Sequence, residues 1–246
     1  MKWFKADLHI HSVLSPCASL EMSPKAVMNM AKQRGLDLIS ITDHNSAANS
    51  LVYQKSAQRA GLDYIFGMEV QTSEEIHVIA LFHDYESITN FDRELYQSLL
   101  PLDNDPDYFG DQVVIDENEN IVRFETRALI NSSKWSFEDM LTKIFRYDGF
   151  PIPAHVDSAS YSVIAQLGFI PQNSGISAVE LSAISNKKDL LTKYPYVKNF
   201  TEIYSSDAHY IVDIGKSVTE VFCEAPTLAE LILACENKQG RKIKKR

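Results

Sequence analysis

With 246 residues, 45% of them hydrophobic and 23% charged, the chain has the make-up of a globular protein, and no apolar run approaches the length that spans a bilayer. A formal net charge of −9 disfavours tight binding to long nucleic acid, because such binding rests on cations that neutralise phosphates; a small anionic substrate stays open. Cys17, Cys223 and Cys235 are odd in number and scattered, as reduced thiols are, and "MKWFKADLHI" lacks the pattern of a secretory signal, so a cytoplasmic protein without membrane contact is expected.

In chain order, "KWFKADLHI" reads as a strand and "SPKAVMNMAKQRG" as a helix, with Ser23 at its N-cap, Pro24 in its first turn and Gly35 at its end. "LDLISITDH" is the next strand, "NSLVYQKSAQRAG" a helix ended by Gly61, and "LDYIFGMEV" a strand. Met28 and Met30 read as helix packing. The alternation predicts β-α units with parallel strands. "HVIALF" follows Glu69 too closely for a helical crossover, so an antiparallel hairpin is expected; a turn centred near Ser73 would set Glu69 directly opposite His77. From about 84 to 134 the rhythm breaks, with a helix in "ESITNFDRELYQSLL", a loop in "DNDPDYFGDQ" and a hairpin in "QVVIDENENIVRF", which we read as an insertion. Beyond it come a helix, strands in "FPIPAHVD", "ISAVELSA", "FTEIYSSDAH" and "VTEVFCEA", and a closing helix. Seven or eight strands in this order suggest a barrel, with residues 1–246 as one domain.

Six of the seven histidines lie at or beside strand ends: His9, His11, His44, His77, His155 and His209. His83, in "LFHDYE", reads as peripheral. In a parallel barrel the strand ends converge on one face, which would gather these imidazoles with Glu69 and Asp207. Imidazoles and carboxylates together suit Zn²⁺, Mn²⁺ or Fe²⁺, and eight such groups exceed what one tetrahedral ion needs, so two or three divalent ions are implied. Asp7 and Asp43 stand beside ligand positions as candidate acceptors for outward-facing ring N–H groups. The basic tail "RKIKKR" reads as a solvated terminus.

The ordered segments "DLHIHS", "TDHN", "PAHVD" and "SSDAH", with "GMEV" and "HVIAL" between them, resemble the four motifs of the PHP (polymerase and histidinol phosphatase) family. The resemblance implies a distorted (β/α)₇ TIM-like barrel, here with an inserted helix and β-hairpin region, and a di- or trinuclear metal centre that hydrolyses phosphoesters. By that analogy His9, His11, Glu69 and Asp207 surround one metal, Glu69 bridges to a second held by His77 and His155, and His44 and His209 hold a third. Where many family members place an aspartate or histidine after the first motif, this chain has Pro16 and Cys17; a Cys17 thiolate is the expected substitute ligand.

The expected activity is hydrolysis of a small phosphorylated metabolite or nucleotide by a metal-activated hydroxide. These eight residues would act catalytically through the metals, with no organic cofactor. An exonuclease or oligonucleotide-end-processing phosphodiesterase is the alternative, and a catalytically silent metal-binding regulatory module a third. An amidohydrolase of similar barrel design fits "SDAH" less well. Arg123, Arg127 and Lys134 in the insertion are candidate phosphate contacts but read as surface charges.

Overall fold

Strand β1 (Lys2–Ile10) is exposed at its first residues and wholly buried from Ala6 onward, so it enters the molecule as it runs toward His9 and His11. The computed structural model describes residues 1–172 and 174–246. After β1 come α1 (Pro24–Gln33), β2 (Leu38–Ile41), α2 (Ser50–Ala60), β3 (Asp63–Tyr64), β4 (Phe66–Gln71) and β5 (His77–Phe82). The segment read as an insertion carries α3 (Tyr85–Ser98), α4 (Pro106–Phe109), β6 (Val113–Ile115) and β7 (Ile121–Phe124). The chain continues through α5 (Phe137–Arg146), β8 (Phe150–Pro153), α6 (Val163–Leu167), β9 (Ala178–Leu181) and α7 (Lys187–Lys193). It closes with β10 (Thr201–Tyr204), β11 (Thr219–Cys223), α8 (Leu228–Cys235) and β12 (Lys242–Ile243).

The helices form where the sequence supplies a buried stripe and a start signal. In α1, Pro24, Val27, Met28 and Ala31 recur at helical spacing and are buried; Ser23 occupies the N-cap, but its side chain makes no capping hydrogen bond. Gly61 ends α2 in the left-handed conformation expected of it. In α3, Asp84 accepts from the Ser87 N–H, and Ile88, Phe91 and Leu95 pack inward. The stretch read as a loop holds the four-residue α4, begun by Asp105 and Pro106. None of the helices is long and apolar enough to cross a membrane among the described residues.

The fold is mixed α/β. Among the described residues the ladders form four sheets, in the orders β12-β11-β1-β2-β3, β4-β5-β8, β9-β10 and β6-β7, and no continuous ladder joins them into a closed barrel. Strand β1 is parallel to β2, β9 to β10, while β5 runs antiparallel to both β4 and β8. Short backbone links connect the sheets where the histidines lie: Ile10 to Ala208, His44 to Glu69, and the Val156 N–H to the Glu180 carbonyl at 2.9 Å. The hairpin is present but its register differs from expectation. Gln71 opposes His77, and Glu69 opposes Ile79. The turn is centred one residue later, and because the slip in pairing is two residues, Glu69 and His77 remain on one face.

Gly67 sets the approach of β4 to β2. A Cβ there would lie 2.2 Å from Ser40 Oγ, so a larger residue would push apart the two strands that carry Glu69 and lead to His44. Asp92 of α3 holds the loop beyond His44 by accepting the Ala47 N–H at 3.0 Å. Burial pushes its carboxyl up to about 6, the Ala47 hydrogen bond opposing and Glu125 adding to the rise. The folded state therefore binds the proton more tightly than the unfolded chain, and stability present below the ordinary value of 3.8 is lost as pH rises through about 6. Asp92→Asn keeps an acceptor for Ala47 and removes the charge. It is expected to stabilise the metal-free protein at pH 7.5 by about 2 kcal/mol, with little change at pH 4, measured by urea unfolding in chelator.

Candidate metal centre

The cluster residues lie within strands near their ends or on the short turns that follow them. His9 lies in β1 and His11 just after it; His44 follows β2, and Glu69 and His77 face each other diagonally across the β4–β5 hairpin. His155 follows β8, with Asp207 and His209 after β10. His155 and Asp207 have φ of 30° and 51°, left-handed conformations that cost a non-glycine residue on the order of 1–3 kcal/mol and persist where the surroundings enforce them.

Glu69 is the hub. Its Oε1 lies 2.8 Å from His77 Nδ1, 3.3 Å from His155 Nε2 and 3.4 Å from His9 Nε2, and its Oε2 lies 3.0 Å from His44 Nδ1 and 3.5 Å from His11 Nε2. Asp207 Oδ1 sits 3.3 Å from both His9 Nε2 and His11 Nε2, and 3.6 Å from His209 Nδ1. Among the described residues three groups have donor atoms within 4.8 Å of one another: His9, His11 and Glu69; His44, Glu69 and His77; and His11, Cys17, His44 and His209. His44 thus belongs with Glu69 and His77 as well as with His209, where it was expected only in the third set. His155 reaches Glu69 but falls outside the second group.

The outward ring nitrogens show what the inward ones are free to do. His9 Nδ1 lies 3.0 Å from Glu180 Oε2, a carboxylate that can only accept. His11 Nδ1 lies 2.9 Å from Ser15 Oγ, whose own O–H is directed to Asp43 Oδ1 at 2.7 Å, so the imidazole is the donor. His77 Nε2 donates to Gln71 Oε1 at 3.0 Å, the Gln71 amide nitrogen being engaged by Ser132 Oγ. His9 Nε2 and His11 Nε2 lie 3.2 Å apart; with the Nδ1 protons directed outward, both would offer lone pairs inward in the neutral form, which is the form a bound cation selects. The donor set therefore fits a cluster of borderline divalent metals.

The same crowding governs ionisation. Burial disfavours the charged form of His9, yet the carboxylates of Glu180, Asp207 and Glu69 hold its pKa well above the usual imidazole range. His11 is held well below that range by burial and by His209 and His44. Burial opposes the charge on Glu69, but His77, His9 and His44 outweigh it and hold the carboxyl well below its ordinary value. Burial would also raise the Cys17 thiol; hydrogen bonds from His209 and His44 bring it down to about 6.

Two expectations change. Asp7 is not a partner of any ring nitrogen: it accepts from the backbone N–H groups of Ser206 and Gly215 and so ties β1 to the segment bearing Asp207. Asp43 acts on His11 only through Ser15. Glu180 was missed, although a lone acid in the apolar strand "AVEL" was a readable signal; it is 2% exposed, and Oε2 also accepts the His155 N–H at 3.2 Å. Its Oε1 is buried without a partner among the described residues. His83 is exposed, and Arg123 and Arg127 are engaged by Glu125 and the Tyr96 carbonyl. Neither these arginines nor Lys134 lines the cavity of about 800 Å³ that opens over His44, Glu69, His77, His155, Asp207 and His209.

A family model described as the PHP domain matches residues 7–163. Over 87 residues the chain is 32% identical to an uncharacterised protein of Methanocaldococcus jannaschii, covering 32% of this chain and 50% of that one. Over 83 residues it is 30% identical to a 5′-3′ exoribonuclease of Haemophilus influenzae, covering 32% of this chain and 29% of that one. The match thus spans half or less of these relatives. The crystal structure of the lesion-specific endonuclease Q of Pyrococcus furiosus superposes with a TM-score of 0.75 at 19% identity, covering 98% of this chain and 58% of that chain, a likeness of fold.

Glu180→Ala removes the acceptor that holds both His9 and the His155 backbone, and is expected to weaken retention of added Zn²⁺ or Mn²⁺ by about 10- to 100-fold. Glu180→Gln keeps an acceptor oxygen and is expected to lose less. Equilibrium dialysis with metal analysis measures both.

Proposed function

The chain belongs to the PHP domain family, a family of metal-dependent phosphoesterases, and on that basis we propose that it hydrolyses a phosphoester of a small metabolite or nucleotide at the cluster centred on Glu69. The carrying observation is the convergence of inward-facing imidazole nitrogens on a buried carboxylate, with the rings of His9, His11 and His77 held from behind by acceptors. In this reading His9, His11, Glu69 and Asp207 hold one metal, Glu69, His77 and His155 a second with His44 alongside, and Cys17, His44 and His209 a third. Bound divalent ions supply a water of lowered pKa and positive charge for the phosphoryl oxygens. The protein keeps the ligand rings in their tautomers through Glu180, Ser15 and Gln71, and presents the cluster at the floor of a cavity large enough for a nucleotide-sized ligand. Its sheets and links are read as one distorted seven-stranded barrel in the order β1, β2, β4, β5, β8, β9, β10, within a single domain that carries an insertion at about 84–134.

Action on an oligonucleotide end is the second reading. It is favoured by the relative named for 5′-3′ exoribonuclease activity, against the acidic charge of −9.

Two experiments test the proposal. A panel of phosphomonoesters, phosphodiesters and short oligonucleotides, each supplemented with Mn²⁺, Zn²⁺ or Fe²⁺, should yield a substrate that His155→Ala no longer hydrolyses; activity unchanged in that variant would mark a contaminant. Metal counting should give one ion fewer in Cys17→Ala than in the unaltered protein. An equal count would rule out the thiolate ligand.

A further inference from the structure

The cavity extends well past the metal cluster, and its far side is built differently from its floor. Tyr161 stands at the junction. Its φ is 56°, a genuine outlier for a bulky side chain, and the segment is pinned on both flanks. The Tyr161 carbonyl accepts the His77 N–H at 2.9 Å, and the next residue, Ser162, caps α6 by accepting the Ala165 N–H at 3.0 Å. So held, the Tyr161 ring stacks on the His77 ring, with centroids 4.8 Å apart and planes 19° from parallel. One face is thus covered by His77 while the residue remains 44% exposed and lines the cavity.

Beyond Tyr161 the wall sets the side chains of Ile184, 94% exposed, Tyr194 and Leu190 among the small polar groups of Ser158, Ser160, Ser182 and Asn186. Ile184 and the half-exposed Tyr161 ring together leave apolar area open to solvent on one side of the cavity. The charged groups on this side are Asp157, Asp189 and Lys193, so the balance does not favour a second phosphate there. A neutral planar group joined to a phosphate at the metals meets both halves of the cavity.

We propose that the open face of Tyr161 is a stacking subsite for a nucleobase, which places the base against the aromatic ring while its phosphate lies over the Glu69 cluster. The inference rests on the phosphoesterase reading for the position of the phosphate, and narrows its substrate class to nucleotides. The base belongs either to a free mononucleotide or to a nucleotide within a strand. Base stacking on an aromatic side chain is worth about 1–3 kcal/mol, a preference on the order of 5- to 150-fold.

The test is equilibrium binding to the metal-loaded protein, using uncleavable methylene-phosphonate analogues of AMP and ribose 5-phosphate, and a short oligonucleotide beside its abasic counterpart. The unaltered protein should prefer the base-bearing member of a pair by at least about fivefold. Tyr161→Phe should keep that preference and Tyr161→Leu abolish it, with metal content measured in each. Preference confined to the first pair assigns the subsite to mononucleotides, and preference confined to the second to strands. Absence of preference in both pairs, read on the unaltered protein, overturns the proposal, as does a preference that survives in Tyr161→Leu. Base-dependent binding without cleavage of any phosphoester would leave the subsite standing and remove the hydrolase reading.

Discussion

A carboxylate with 2% exposure, surrounded by five imidazoles, governs this molecule. Glu69 cannot be buried as an anion unless positive charge is brought to it, and the elements that bring it come from every part of the chain. The five rings that touch Glu69 ride on β1, β5 and the turns beyond β2 and β8. The strand order, the reversal of β5 and the close contact of β4 with β2 at Gly67 all serve to put those rings around one side chain.

Behind the rings stands a layer of acceptors whose work is directional. Glu180, the Ser15–Asp43 pair and Gln71 each take an outward proton and leave a lone pair facing in. Replacement of these groups would leave the ligand residues in place while freeing their rings to turn. Glu180 is the most economical of them, since one oxygen fixes both the His9 ring and the backbone of His155, residues 146 positions apart in the chain.

Much of this was legible in the sequence. Aspartate and histidine at alternate positions of a strand announce a ligating face, and the short link from Glu69 to His77 allowed only a hairpin. The helices were readable from caps and apolar stripes. What escaped was information held in tertiary contacts. The hairpin register depends on where the Thr72–Ile76 turn settles, which neighbouring segments decide. Asp7 looked like a partner for a histidine because it is close in sequence and alternates with His9, yet the arrival of Ser206 and Gly215 gives it backbone donors instead. Glu180 was hidden among apolar strand residues, because its partners lie in β1 and beyond β8. The place of His44 in two groups could not be read from its motif, since one depends on how closely β2 and β4 approach and the other on where the segments bearing Cys17 and His209 come to lie.

The β4–β5 turn has a bearing on assembly of the centre. Glu69 and His77 are only eight positions apart, so bringing them together removes little freedom from an unfolded chain, whereas His155, Asp207 and His209 must travel across most of its length. A hairpin bearing a carboxylate and an imidazole on one face is consequently the contact of the centre that costs the least chain entropy to close, and the remaining ligands reach it over far longer loops.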